Sequence, residues 1–106
     1  MSYLADKFYN VNTNGTVVIP NPGNPDNLKL CLVRIIINTK GGSGNTAVLY
    51  DSNETIGANA ENRIGNIDTN TPVNNPEYSL ILQNGIYIVI GGGTAPDLTL
   101  IYKEIF

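Results

Sequence analysis

The sequence predicts an all-β domain: an antiparallel β-sandwich of about seven or eight strands with a jelly-roll-like arrangement. Three observations predict it. The polar residues are mainly amides and hydroxyls, with sixteen Asn and nine Thr, types that favour turns and strands over helices. Eleven Gly and six Pro punctuate the chain, so that turn signals recur roughly every 8–12 residues, as in sandwiches. No segment has the periodicity of a long amphipathic helix.

Taken in order, the predicted strands are short apolar runs bounded by Asn, Gly or Pro. They are residues 16–19, 28–38, 46–50, 63–67, 78–83, 86–90 and 98–106. The connecting segments 21–27 and 68–76 are dense in Asn and Pro, which excludes both helix and strand there. Residues 51–62 are polar and loop-like, and the strand after them is expected at a sheet edge.

Two turns predict β-hairpins. Asn84 and Gly85 separate two apolar runs by two residues and can supply the positive φ angles of a type I′ turn. Residues 78–83 and 86–90 are therefore predicted to pair. The glycine-rich run 40–45 is likewise expected to return the chain, pairing 46–50 with 28–38.

The length of 106 residues allows one domain with one core. We assign residues 16–106 to this domain and residues 1–15 to a polar N-terminal arm or a weakly ordered first strand. The first residues lack the pattern of a signal peptide, and no run has the length of a membrane span. The sequence therefore predicts synthesis in a reducing cytoplasm and no membrane partner.

Several strands carry apolar residues on both faces, although a two-layer sandwich buries only one face of each sheet. The uncharged run 86–90 shows this most clearly, and left exposed it would be prone to aggregate. Either loops or a neighbouring subunit must cover the second face. We predict a homo-oligomer with a contact face at Ile86, Ile88 and Ile90.

Composition argues against catalysis and against nucleic-acid binding. The chain has no His, which removes the usual general base and His-based metal sites. A hydrolase built on two carboxylates remains a formal alternative. The net charge is −3, and the basic residues are scattered rather than clustered, which excludes a phosphate-binding stripe. We predict a protein that is not an enzyme and has no cofactor or metal.

Three local motifs have structural explanations beside functional ones. The run 40–46 and Gly91–Gly93 lack the spacing of phosphate-binding loops and are interpreted as turns. Asp51 to Glu54 supplies oxygen ligands for calcium but lacks the glycine and distal Glu of an EF-hand loop, so it is interpreted as an Asx-type turn. The lone Cys31, in an apolar run, is interpreted as a buried hydrophobe.

Three aromatic residues stand in the polar N-terminal segment: Tyr3, Phe8 and Tyr9. Aromatic side chains on an arm suit docking onto a partner, where they are frequent binding hot spots. They equally suit packing back onto the domain.

Residues 28–106 resemble small structural proteins of tailed bacteriophages. The resemblance rests on residues 32–39 (LVRIIINT), residues 45–51 (NTAVLYD), residues 82–89 (LQNGIYIV) and residues 93–102 (GTAPDLTLIY). They are similar to β-sandwich proteins of the virion exterior: head-decoration (cement) proteins and head-fibre or tail-fibre modules.

This resemblance implies a protein without an active site that assembles as an oligomer, with a trimer favoured. It implies a place on the capsid exterior, bound to the major capsid protein, with the N-terminal arm as the hook. The alternative is a carbohydrate- or receptor-binding module of a head or tail fibre.

Overall fold

A computed structural model describes residues 6–21, 29–70 and 77–105, which form eight strands. The strands are Lys7–Val11 (β1), Gly15–Pro20 (β2), Lys29–Thr39 (β3), Thr46–Asp51 (β4), Arg63–Asp68 (β5), Glu77–Leu82 (β6), Gly85–Gly91 (β7) and Asp97–Ile105 (β8). A short 3₁₀ helix, Ala60–Asn62, precedes β5. None of the helical structure in the described ranges is long and apolar enough to cross a membrane.

The strands form two four-stranded antiparallel sheets. The first sheet has the order β1-β8-β3-β6 and the second β2-β7-β4-β5. Strand 1 thus pairs with 8, 2 with 7, 3 with 6 and 4 with 5, the nested connectivity of a jelly roll. The predicted all-β antiparallel sandwich is confirmed.

The core lies between the sheets and is almost wholly aliphatic. Alternate residues of each strand point into it. Its fully buried members include Leu30, Leu32, Ile35, Leu49, Ile86, Ile88, Leu98 and Leu100.

A bulge in β3 explains much of the two-sided pattern of that strand. Leu32 pairs with Tyr102 and Arg34 with Ile101, so Val33 is an extra residue without a partner on β8. An extra residue reverses the faces of everything after it. Even-numbered side chains therefore face the core before Val33 and odd-numbered ones after it, and the strand needs less external cover than strict alternation suggests.

The two predicted hairpins are wrong. β6 belongs to the first sheet and β7 to the second, so the Asn84–Gly85 corner carries the chain between sheets. Asn84 does not have the positive φ of a type I′ turn, because Ser79 is the one non-glycine residue with positive φ in the described ranges. β3 and β4 likewise lie in different sheets. The turn residues indicated that the chain changes direction at these points. They did not determine which strands pair with each other.

The segment predicted as an N-terminal arm contains a paired strand. β1 forms an antiparallel ladder with β8 at the edge of the first sheet, from Lys7 opposite Tyr102 to Val11 opposite Leu98. The sandwich therefore begins on the N-terminal side of the boundary placed after residue 15. Two interpretations were given for this segment, an arm and a first strand, and residues 7–11 form a strand.

Both glycine runs lie at one end of the sandwich, where the β3–β4 and β7–β8 loops touch through their main chains. A Cβ on Gly42 would lie 2.7 Å from the Thr94 nitrogen, and one on Gly93, whose φ is +67°, 2.7 Å from the Ser43 carbonyl oxygen. Neither position has room for a side chain. The runs are turns, as predicted, and they are also a packing contact.

Candidate interaction surfaces

The outer face of the second sheet carries a continuous apolar patch. In register across the strands, Val89 lies opposite Val48, and Tyr87 lies opposite both Val18 and Tyr50. All five side chains are half-buried, because they shield one another rather than enter the core. We call this patch, formed by Val18, Val48, Tyr50, Tyr87 and Val89, the valine–tyrosine face.

The two tyrosines give the valine–tyrosine face its shape. The rings of Tyr50 and Tyr87 meet edge to face, with centroids 5.9 Å apart and planes at 88°, a favourable arrangement for an aromatic pair. Exposed polar residues border the patch on the edge strands, with Thr16 opposite Val89, Asn66 opposite Val48 and Arg63 opposite Tyr50. An apolar centre with a polar rim is the usual anatomy of a protein interface.

The predicted oligomer face is on the right strand but on the wrong side of it. Ile86, Ile88 and Ile90 are 1%, 0% and 2% exposed and belong to the core between the sheets. They cannot touch another subunit while the fold is intact. The alternate residues of the same strand, Tyr87 and Val89, face outward.

The aromatic residues of the predicted hook do not form one contact surface, because Phe8 and Tyr9 point to opposite sides of the first sheet. Tyr3 lies outside the described residues. Phe8 is 67% exposed, opposite Ile101 on the outer face of the first sheet. Tyr9 points the other way, opposite Leu100, and is 45% exposed at the open edge. A partner lying flat on the first sheet would contact Phe8 but not Tyr9.

A polar cluster occupies the same outer face, near the glycine end. Asn10 Nδ2 donates to Asp97 Oδ1 at 2.6 Å and to the Leu98 carbonyl at 3.0 Å. Asn38 Nδ2 donates to Thr99 Oγ1 at 2.8 Å and to the same Asp97 oxygen at 3.2 Å. We call Asn10, Asn38, Asp97 and Thr99 the amide–carboxylate cluster.

Sequence reasoning missed this cluster. Its members come from β1, β8 and the end of β3, and Asn10 fell in the segment assigned to the arm. No local pattern links them, because the pairing of β1 and β3 with β8 is what brings them together. Finding this cluster from the sequence would have required a correct prediction of the strand order.

The calcium ligands considered at Asp51 to Glu54 serve the loop instead. The Asp51 carboxylate accepts the backbone N–H groups of Gln83 at 2.9 Å and Asn84 at 2.8 Å. Asn53 Oδ1 accepts the Ile56 N–H at 2.9 Å, an Asx turn. Across the described ranges, no three His, Cys, Asp or Glu side chains gather as a metal site would require.

Cys31 is a free, buried thiol on β3. Burial raises the pKa of the Cys31 thiol, and the nearby Lys103 charge opposes that rise. A raised pKa keeps the thiol protonated near neutral pH, which makes it a poor nucleophile. Its predicted role as a buried hydrophobe is confirmed.

Comparison with protein-family models, curated proteins and solved structures gave no significant match.

Proposed function

We propose that this chain is a non-enzymatic structural protein of a tailed-bacteriophage virion. In this proposal it is a decoration (cement) protein on the capsid exterior. It assembles with copies of itself, as a trimer by the resemblance, and binds the major capsid protein. Jelly rolls occur in capsid proteins and in lectins, so the fold alone does not decide between them.

The valine–tyrosine face carries the assembly part of the proposal. It presents five apolar or aromatic side chains and no charge at its centre, the composition that distinguishes interface cores from ordinary surface. A second copy of the chain is the occupant we assign to it. Because the face is uncharged, another subunit can meet it without burying unpaired charge.

Geometry restricts how copies can close into an oligomer. The outer faces of the two sheets point in opposite directions. Stacking one face on the other from copy to copy would therefore build an open fibre rather than a ring. A closed trimer has to use the valine–tyrosine face against a different part of its neighbour, such as a sheet edge.

The capsid contact is assigned to β1. This strand lies at a sheet edge, four of its five residues are exposed, and Tyr9 is 45% exposed at that open edge. An edge strand offers unpaired backbone groups beside that aromatic anchor, which suits docking on another protein.

The assembly proposal is tested with a charge on each outer face. Val89→Glu is expected to reduce the oligomer to monomers, because it buries an unpaired carboxylate in the contact. Ile81→Glu is the matched control, since Ile81 is 45% exposed on the first sheet and should leave the mass unchanged. Light scattering coupled to size-exclusion chromatography measures both.

A monomeric native chain at every concentration would contradict self-assembly, and dissociation by Ile81→Glu alone would move the contact to the first sheet. The virion assignment has its own measurement. Mass spectrometry of purified particles should give a fixed copy number relative to the major capsid protein, and absence from particles would refute it.

A further inference from the structure

We propose that the outer face of the first sheet binds a neutral oligosaccharide, seated on Phe8 and the amide–carboxylate cluster. The site is separate from the valine–tyrosine face, on the opposite side of the sandwich. It adds an activity to the assembly role and does not depend on that role.

The polar half of the site is rich in hydrogen-bond acceptors. The side-chain N–H groups of Asn10 and Asn38 already donate hydrogen bonds to Asp97, Thr99 and the Leu98 carbonyl. In these exposed bonds both amides act through Nδ2 and Asp97 through Oδ1, which leaves the Oδ1 atoms of the amides and Oδ2 of Asp97 to solvent or to a ligand. Vicinal sugar hydroxyls can donate to such oxygens in place of water.

The cluster is also held in place before any ligand arrives. Asp97 Oδ1 accepts from an amide on each neighbouring strand, at 2.6 Å and 3.2 Å, so three strands fix the positions of its members. A site whose side chains are already ordered loses less entropy on binding. This matters for sugars, whose hydroxyls give up good hydrogen bonds to water.

The apolar half of the site lies beside the cluster. Phe8 and Asn10 are two residues apart on β1 and share the outer face, which separates them by about 7 Å along the strand. Ile101 lies opposite Phe8, and Thr99 opposite Asn10. One sugar ring can thus place its C–H face on Phe8 and Ile101 while the next ring reaches the cluster, so at least two rings are expected.

A metal ion fits this site less well. Calcium takes about six to eight oxygen ligands arranged around it, whereas a flat sheet face offers ligands from one side. Asp97 is the one carboxylate of the cluster, and its Oδ1 already accepts two N–H groups. The neutral amides and the hydroxyl suit an uncharged ligand.

The test is a titration of the ¹⁵N-labelled chain with maltotriose, cellotriose and diacetylchitobiose, followed by NMR. At least one sugar should shift the signals of Phe8, Asn10, Asn38 and Thr99 and leave the valine–tyrosine face unmoved. Asn38→Ala and Phe8→Ala should each weaken that binding by about tenfold or more. Gln83→Ala removes an exposed amide from the corner between β6 and β7, outside both surfaces, and is expected to leave it unchanged.

The result that overturns the proposal is no shift at these residues with any of the sugars up to about 10 mM, well above the range of weak specific binding. Equal weakening by Gln83→Ala would overturn it too, as would calcium chloride alone saturating the same signals at lower concentration. Circular dichroism confirms that each variant is folded. Because Val89→Glu leaves this site intact, sugar binding by that monomeric variant would separate this result from the assembly test.

Discussion

Gly42 and Gly93 show how much of this fold depends on the absence of a side chain. They lie where the β3–β4 and β7–β8 loops meet, each with backbone atoms of the other loop where a Cβ would stand. Inserting a methyl group there must push two loops apart, since neither neighbour is a flexible side chain. The glycine runs were recognised in the sequence as turns, but which run touches which is a tertiary fact.

We expect Gly42→Ala to lower the free energy of unfolding by about 1–3 kcal/mol, the usual cost of overpacking. Gly65→Ala is the control: a Cβ on Gly65, which lies on β5, would meet no atom within 4 Å, so its effect should stay within about 0.5 kcal/mol. Urea denaturation measures both. Equal effects from the two variants would show that the loop contact does not exclude a side chain.

At the scale of elements, β1 is the strand held least by the core, because Val11 is its one buried residue. Charge pairs secure its other end. Lys7 forms an ion pair with Glu104, and Asp6 Oδ1 lies 3.2 Å from Lys103 Nζ. Lys7 lies opposite Tyr102 and reaches Glu104 diagonally, while Asp6 immediately precedes β1, so both pairs act across the β1–β8 edge.

The Lys7–Glu104 pair makes the attachment of β1 depend on pH. The hydrogen bond and the charge of Glu104 raise the pKa of Lys7 above its ordinary value of 10.5. A group whose pKa is higher in the folded state stabilises the fold below its unfolded pKa, and this contribution disappears as pH rises through the folded pKa. The loss is therefore expected above about pH 10.5.

The measurement compares the native chain with Lys7→Met by denaturant unfolding at about pH 9 and about pH 11.5. The native chain should be the more stable at the lower pH, and the difference should shrink at the higher one. A difference that stays constant with pH would show that the ion pair does not stabilise β1.

The positions of the strands along the sequence were more predictable than the pairing between strands. The apolar runs and turn residues located all seven strands from β2 to β8 because strand formation is encoded locally. The pairing of β6 with β3 rather than β7 is not local: it depends on which sheet buries each apolar face. The same reason hid the valine–tyrosine face, since Tyr87 and Ile88 are both apolar and the run 86–90 does not reveal which one faces inward.

At the scale of the molecule, the nested pairing makes most contacts distant in sequence. β4 and β5 are the one pair of consecutive strands that hydrogen-bond to each other among the eight described, and a long loop separates even these. β1 pairs with β8 across nearly the whole chain. Apart from β4 and β5, the strands can therefore pair only after long stretches of chain have been closed, at an entropic cost.

We expect slow refolding, on a time scale of milliseconds to seconds, as for other proteins dominated by non-local pairing. Stopped-flow dilution from urea, followed by tyrosine fluorescence or circular dichroism, measures the rate. Far-ultraviolet signal and tyrosine signal should recover together. A microsecond phase that restores most of the strand signal would contradict this picture.

The pairing of β1 with β8 has a practical consequence. The two strands are antiparallel neighbours, so Lys7 and Ile105 both lie at the end of the sandwich opposite the glycine contact. A cargo protein attached beside either residue would stand at that end. The β7–β8 loop and Asp97 lie at the other end and would stay uncovered. A fused protein would therefore be attached at one end of the domain, and the other end would remain accessible to a binding partner.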